Sequence, residues 1–217
     1  MLLLHEDMPT EAAAAAAAIK GAYGFRVSVR EAEITRILPL IPAFNGRLAE
    51  PLRLQQVPGV ETPGCVALIR TDLFMDDQSI EDDWAFGVEQ GEFVLVSDAR
   101  MRSRAGQTSD LRVRRLAAIV VHEVGHAVVS GPHLRPAIWI NVARKYELHL
   151  GPHCWDRRCA MYEVADLVAP PPEEGHILLA DEIRRDTGLD ELLDRIYEAW
   201  LCDRCRTSIT PKPHWIS

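Results

Sequence analysis

The stretch HEVGHAVVSGPH, residues 122–133, has two histidines four positions apart and a glutamate directly after the first. On a helix, residues at this spacing lie on one face about one turn apart, so the imidazoles of His122 and His126 can meet one metal ion. Zinc is the metal that this pattern favours, and Glu123 would lie beside it as a base for a bound water. The stretch therefore predicts a helix that carries part of a catalytic zinc site.

Apolar residues around this stretch have the spacing of a helix that packs against a core. They recur three or four positions apart, at Val113, Ala117, Val120, Val124 and Ala127. Side chains at this spacing form a stripe along one side of a helix. We therefore expect one helix that begins near Ser109 and runs until the pair Gly131-Pro132, which is typical of a helix end.

A catalytic zinc site usually has three protein ligands, and the two helical histidines supply only two of them. His133 follows shortly after His126, just past the expected end of the helix. His153 lies much further along the chain and directly precedes a cysteine. A long insertion is compatible with a shared site, because the entropy of closing a loop grows only slowly with its length. Both histidines are therefore candidates for the third ligand.

Four of the five cysteines form two closely spaced pairs. Cys154 and Cys159 stand in CWDRRC, and Cys202 and Cys205 stand in CDRC. One such pair from each of two distant segments is the usual layout of a closed structural zinc site. Redox chemistry is the alternative for the second pair, but no thioredoxin-like βαβ pattern surrounds it. Cys65 stands alone, and we expect it to be a small buried apolar residue.

Composition and charge limit the classes of partner. The chain has 217 residues, 47% of them hydrophobic, and a formal net charge of −8. This charge argues against nucleic acid or an anionic membrane surface as the main partner. The chain shows neither the basic segment and long apolar core of a secretory signal nor an apolar run of membrane-spanning length. We expect a cytoplasmic protein that is monomeric.

Strand patterns come first along the chain and helix patterns later. Strands are predicted at residues 24–30, 65–74 and 92–101. The alanine tract at residues 10–20 predicts a short helix with Thr10 as its cap and Gly21 at its end. Further helices are predicted within residues 135–150 and 181–201. This order favours an α+β architecture, with an N-terminal sheet and a mainly helical C-terminal part.

The motifs together resemble those of the archaemetzincins, a family in the metzincin clan of zinc metallopeptidases. HEVGH, GPHC, CAM and CDRC occur here in the order of that family's pattern HExxHxxGxxHC, CxM and CxxC. The upstream segments DLF, WAFGVE and VLVSDAR are similar to those before the family's active-site helix. The resemblance covers roughly residues 65–205.

The resemblance implies a metzincin-like α+β fold with a twisted mixed sheet, backing helices and an active-site helix. It implies one catalytic domain, with residues 1–153 as an N-terminal subdomain and residues 154–217 as a C-terminal subdomain that holds a structural zinc. The segment FVLVSDARM would be the edge strand along which an extended peptide substrate binds.

The resemblance also implies roles for individual residues. His122, His126 and the histidine directly before the first cysteine, His153, would bind the catalytic zinc, with His133 as the alternative. Glu123 would activate a zinc-bound water for hydrolysis of peptide bonds, as in a metalloendopeptidase or an aminopeptidase. Met161 would be the Met-turn residue below the histidines. Together with the four paired cysteines, this predicts two zinc ions per chain.

A second hypothesis is a zinc-stabilised module that binds a peptide or protein and has little or no catalytic activity. The insertion between His126 and His153 favours it, because the inserted segment falls where a cleft would be. The intact Glu123 argues against it, since a binding module has no need of that carboxylate.

Overall fold

Among the residues that the structure describes, five strands form a central sheet. The computed structural model of the protein describes residues 1–34, 64–71, 73–74, 84–85, 87–90, 93–99, 109–135, 138–142, 146–150, 152–156, 158–162 and 198–210. The strands in these ranges are β1 (Leu2–His5), β2 (Ser28–Glu31), β3 (Cys65–Ile69), β4 (Leu73–Phe74), β5 (Trp84–Ala85), β6 (Gly87–Gln90), β7 (Phe93–Ser97), β8 (Ile138–Val142) and β9 (Tyr146–Leu150). The central sheet has the order β2-β1-β3-β7-β6, in which the first four strands are parallel and β6 is antiparallel to β7.

Three helices are described: α1 (Pro9–Tyr23), α2 (Ser109–Val128) and α3 (Asp203–Thr207). The predicted helix from Ser109 is present, and its last residue is Val128, shortly before Gly131-Pro132. None of the described helices combines the length and the apolar composition that a membrane span requires.

The core divides between the two faces of the sheet. Alternate strand residues such as Leu3, Val66 and Val94 belong to one cluster together with the buried faces of α1 and α2. The residues between them, such as Ala67 and Leu95, belong to a smaller cluster on the other face. Strand β3 is buried along its whole length, as expected for a central strand that is covered on both faces. The expected α+β fold with a mixed sheet is thus confirmed for this part of the chain.

The boundaries of α1 differ from the prediction. The residue before the helix is Met8, with Pro9 in the first turn, so Thr10 is not its cap. The helix passes through Gly21 and ends at Tyr23. Gly24 caps it, has φ 72° and donates its N–H to the carbonyl of Lys20. Burial of the last turn against the core outweighs the weak helix preference of Gly21, and Gly24 supplies the left-handed conformation that ends the helix.

Strand β7 is not the edge strand, contrary to the sequence prediction. β6 lies outside it and pairs with it from Gly87 opposite Val96 to Gln90 opposite Phe93. The acidic, turn-rich composition of residues 76–92 hid this short strand. Any peptide that extends the sheet on this side would therefore lie along β6.

The segment predicted as a helix at residues 135–150 contains an antiparallel hairpin instead, with Ile138 opposite Leu150 and Val142 opposite Tyr146. Its first strand, IWINV, is rich in β-branched and aromatic residues, which favour strands over helices.

Strand β1 was also missed, because the short apolar run at the start of the chain shows no alternation of apolar and polar residues. The helices predicted at residues 181–201 fall almost entirely outside the described residues, as does most of the predicted helical C-terminal part.

Candidate metal centres and active site

Helix α2 is fixed against α1 at the turn that carries the first histidine. The hydroxyl of Tyr23 donates a hydrogen bond of 2.5 Å to the carbonyl of Val121. Burial raises the pKa of Tyr23 well above its usual value, so the hydroxyl keeps its proton and remains a donor. This contact could not be predicted from the sequence, because its two residues lie far apart in the chain.

Three histidines meet at one point. The ligand atoms of His122, His126 and His153 all lie within 4.8 Å of one another, and their ring centroids are 4.7–5.1 Å apart. His153 arrives on a segment that turns back below the helix, where its carbonyl accepts a 2.7 Å hydrogen bond from the N–H of Arg135. Of the two candidates for the third position, the structure brings His153 to the other two histidines and places His133 elsewhere.

The orientation of His122 fits a metal ligand. Its Nδ1 lies 2.7 Å from the carbonyl oxygen of Ala160. A carbonyl oxygen only accepts, so Nδ1 carries the proton and Nε2 keeps a free lone pair. That Nε2 is 3.0 Å from Nε2 of His126, near the separation of roughly 3.3 Å between two nitrogens on one tetrahedral zinc. Burial lowers the pKa of His126 well below its usual value, which favours the neutral ring that a metal needs.

Met161 lies directly below the histidine helix. Its side chain is fully buried, and a Cβ added at Gly125 would fall 1.9 Å from its sulfur. The same Cβ would be 2.8 Å from the hydroxyl of Tyr23. Glycine within the motif therefore has a steric cause, since no side chain fits between the helix and Met161. Tyr162, the next residue, is also buried.

Glu123, which directly follows His122 on α2, is buried and faces β6. Only 5% of the residue is exposed. A Cβ added at Gly87 on β6 would lie 2.6 Å from Cγ and 2.9 Å from Oε1 of Glu123. The missing side chain of Gly87 thus provides the space in which the carboxylate sits.

The four paired cysteines form a second cluster. Their sulfurs all lie within 4.8 Å of one another, with 3.6 Å between Cys154 and Cys202. This distance excludes a disulfide, whose sulfurs are about 2.05 Å apart, and is near the roughly 3.8 Å between two sulfurs on one tetrahedral zinc. The N–H of Asp156 donates to the sulfur of Cys154 at 3.4 Å. Cys65 is buried in the sheet and lies outside this cluster.

The thiols of this cluster do not lose their protons independently, because their sulfurs are in close contact. Hydrogen bonds with the thiols of Cys159 and Cys205 lower the pKa of Cys154 to about 2. The contact with Cys154 raises the pKa of Cys159 to about 12 and also raises that of Cys205. The close contact of the sulfurs thus opposes the loss of all four protons, and a cation bound among four thiolates would offset their mutual repulsion.

His133 belongs to the surroundings of the cysteine cluster. Its Nε2 lies 3.3 Å from the sulfur of Cys205. Sequence reasoning considered this residue only as a ligand of the histidine centre. The roles of Ala160 and Gly87 were also missed, because a carbonyl acceptor and an absent side chain leave no signal in a motif.

Comparisons with known proteins identify the fold. The crystal structure of archaemetzincin from Methanopyrus kandleri is similar with a TM-score of 0.51 and 18% sequence identity, over 91% of this chain and 94% of that chain. Archaemetzincin from Archaeoglobus fulgidus, in complex with malonate, is similar with a TM-score of 0.53 and 14% identity, over 96% and 100%. No family model and no curated protein sequence matches. The resemblance read from the motifs is therefore confirmed at the level of the fold.

Proposed function

We propose, from the premise that the chain has the archaemetzincin fold, that it is a zinc-dependent peptidase with one catalytic and one structural zinc. The observation that carries the proposal is the group of His122, His126 and His153, with the buried Glu123 directly after His122 on the same helix. Three neutral imidazoles and an open fourth position are typical of catalytic zinc, whereas a closed set of four thiolates is typical of structural zinc.

The histidine centre has the parts that peptide hydrolysis needs. Zinc bound there would lower the pKa of a water and polarise the scissile carbonyl. Glu123 would take the proton of the attacking water and return it to the leaving amine. Ala160 holds His122 in the tautomer whose Nε2 faces the centre. The burial of Glu123 restricts its motion, so the carboxylate is already in place when a substrate arrives.

The edge of the sheet offers a place for the substrate. Among the described strands, β6 borders only β7, so one side of its backbone is open to a further strand. An extended peptide can bind there by main-chain hydrogen bonds, with the scissile bond beside Gly87 and Glu123. The proposed partner is accordingly a peptide or an unfolded protein segment.

Hydrolysis of a peptide library tests this function. We expect the zinc-loaded protein to cleave peptides of mixed sequence, to stop when a chelator removes the metal and to resume when zinc is restored. Acetylated and free N-termini within the library separate the two modes: cleavage of blocked peptides shows an endopeptidase, and cleavage of free ones alone shows an aminopeptidase. Binding of peptides without any cleavage would reject the enzyme and favour the binding module.

Replacing Gly87 by alanine is expected to lower kcat by about 10²-fold, because displacement of a catalytic group by about 1 Å can have this effect. The new Cβ would collide with Cγ of Glu123, which lies near the root of the side chain, so the whole carboxylate must move. Zinc content should not change. Peptide hydrolysis and elemental analysis measure the two quantities. In a Glu123→Gln background the same change should cause no further loss, and a further loss there would contradict the explanation.

A further inference from the structure

The cysteine centre has a neighbour that is not one of its four sulfurs. Nε2 of His133 is 3.3 Å from Sγ of Cys205, a residue that is fully buried on α3. The histidine itself is half-buried, at the surface end of this contact. A ring nitrogen at this distance from a sulfur is within hydrogen-bond range. The group of ligand atoms that all lie within 4.8 Å of one another contains the four sulfurs and not this nitrogen, so the histidine is a neighbour of the centre.

The turn that carries His133 fits closely around its ring. The N–H of Leu134 donates to the carbonyl of Gly131 at 3.2 Å and closes the turn. Gly131 has φ 133°, a conformation that favours glycine, and a Cβ there would lie 3.1 Å from Nδ1 of His133. A side chain at this position would therefore crowd the Nδ1 edge of the ring, and glycine leaves the space that the ring occupies.

The chain that carries Cys205 is tied to the same turn. The carbonyl of Ser208 accepts a 3.2 Å hydrogen bond from the N–H of Ser130, and the N–H of Thr210 donates at 2.7 Å to the carbonyl of Val128. These bonds pair the segment just before His133 with the segment just after Cys205. The contact between imidazole and sulfur is thus held by backbone on both sides.

We propose that His133 is a positioning residue of the cysteine zinc centre, which donates its Nε2 hydrogen to the sulfur of Cys205. A zinc-bound cysteine is a thiolate and has no hydrogen of its own, so the hydrogen of this contact must come from the ring. The bond draws negative charge from the sulfur and makes it a poorer target for protons and oxidants. The inference depends on the proposed occupation of the cysteine centre by zinc and is independent of peptidase activity.

The expected consequence of this hydrogen bond is that the wild-type protein releases the structural metal slowly. Removing an outer partner of a metal ligand typically lowers metal affinity or activity by about 10–100-fold. Because α2 ends just before this turn, the histidine also connects the end of the active-site helix to the cysteine centre.

Cobalt loading provides a test that reports on this centre alone. Cobalt(II) replaces zinc in both centres of the full-length protein, and the sulfur-to-cobalt absorption in the near ultraviolet arises only where thiolates bind. His133→Ala and His133→Phe should move this absorption to lower energy and should speed its decay under a chelator by about tenfold. His133→Gln retains an N–H donor and should restore both values toward those of the wild type. Ser130→Ala, in the same segment but without contact to a sulfur, is the matched control.

Each outcome bears on the proposal. Unchanged absorption and release rates in the alanine and phenylalanine variants would overturn it. Equally faster metal release in the alanine, phenylalanine and glutamine variants would also overturn it, since the N–H donor of glutamine would then make no difference. If the alanine variant fails to take up cobalt, the glutamine and phenylalanine variants are compared. The glutamine variant must then release cobalt to the chelator more slowly than the phenylalanine variant, and an equal rate would overturn the proposal.

Discussion

Replacing Glu123 by glutamine is expected to lower kcat/KM for peptide hydrolysis by about 10²–10⁴-fold, the contribution that a general base typically makes. Glutamine has nearly the same shape and fits the space beside Gly87, but it cannot take a proton. The zinc content should remain that of the wild type, because Glu123 is not among the residues grouped around the candidate metal positions.

Peptide hydrolysis and elemental analysis of the same preparation check this result. Asp110→Asn, an exposed acid in the first turn of the same helix, is the matched control and should keep full activity. Wild-type turnover in the Glu123 variant would show that another group moves the proton. Loss of zinc together with activity would show that the carboxylate serves the metal and not the substrate.

Replacing Cys202 and Cys205 together by serine is expected to remove one zinc per chain. The region around the four cysteines should then no longer fold stably. Structural zinc contributes about 10–16 kcal/mol in small zinc domains, which is comparable to the whole stability of a domain, about 5–15 kcal/mol. The catalytic zinc should also bind more weakly. Cys154 lies next to His153, and the bond from its N–H to the carbonyl of Met161 connects the two centres.

Elemental analysis and thermal unfolding measure both effects of the cysteine change. Cys65→Ala is the control, because this cysteine is buried in the sheet away from the cluster and its loss should cost only about 1 kcal/mol. That variant should retain both zinc ions. Two zinc ions in the double serine variant would show that the cysteines do not hold a metal.

The parts of the fold that the sequence predicted are those with a strong local period. The stripe on α2 and the apolar runs of β3 and β7 stand out because burial on one or both faces fixes the spacing of their side chains. The hairpin at residues 138–150 was misassigned because a short apolar segment with aromatic residues fits either period. The short β6 lacked any strand period, so the strand that pairs with the outer side of β7 could not be found from sequence.

The candidate site was predictable only as far as local spacing extends. The helix places His122, Glu123 and His126 together by its own geometry. The choice between His133 and His153 depends on tertiary pairing, in which the chain returns through the bridge between Leu134 and Cys154. That return brings His153 to the first centre and leaves His133 beside the second, and neither placement follows from distance along the chain.

The zinc content of three preparations tests the central claim, that the chain holds two separate metal centres and that His153 completes the first. Elemental analysis of freshly purified, unchelated protein should give two zinc ions per chain for the wild type, one for His153→Ala and two for His133→Ala. The reason is that His153 supplies one of three grouped ligand atoms, whereas His133 only contacts a sulfur of the other centre. Two zinc ions in His153→Ala with one in His133→Ala would contradict the account.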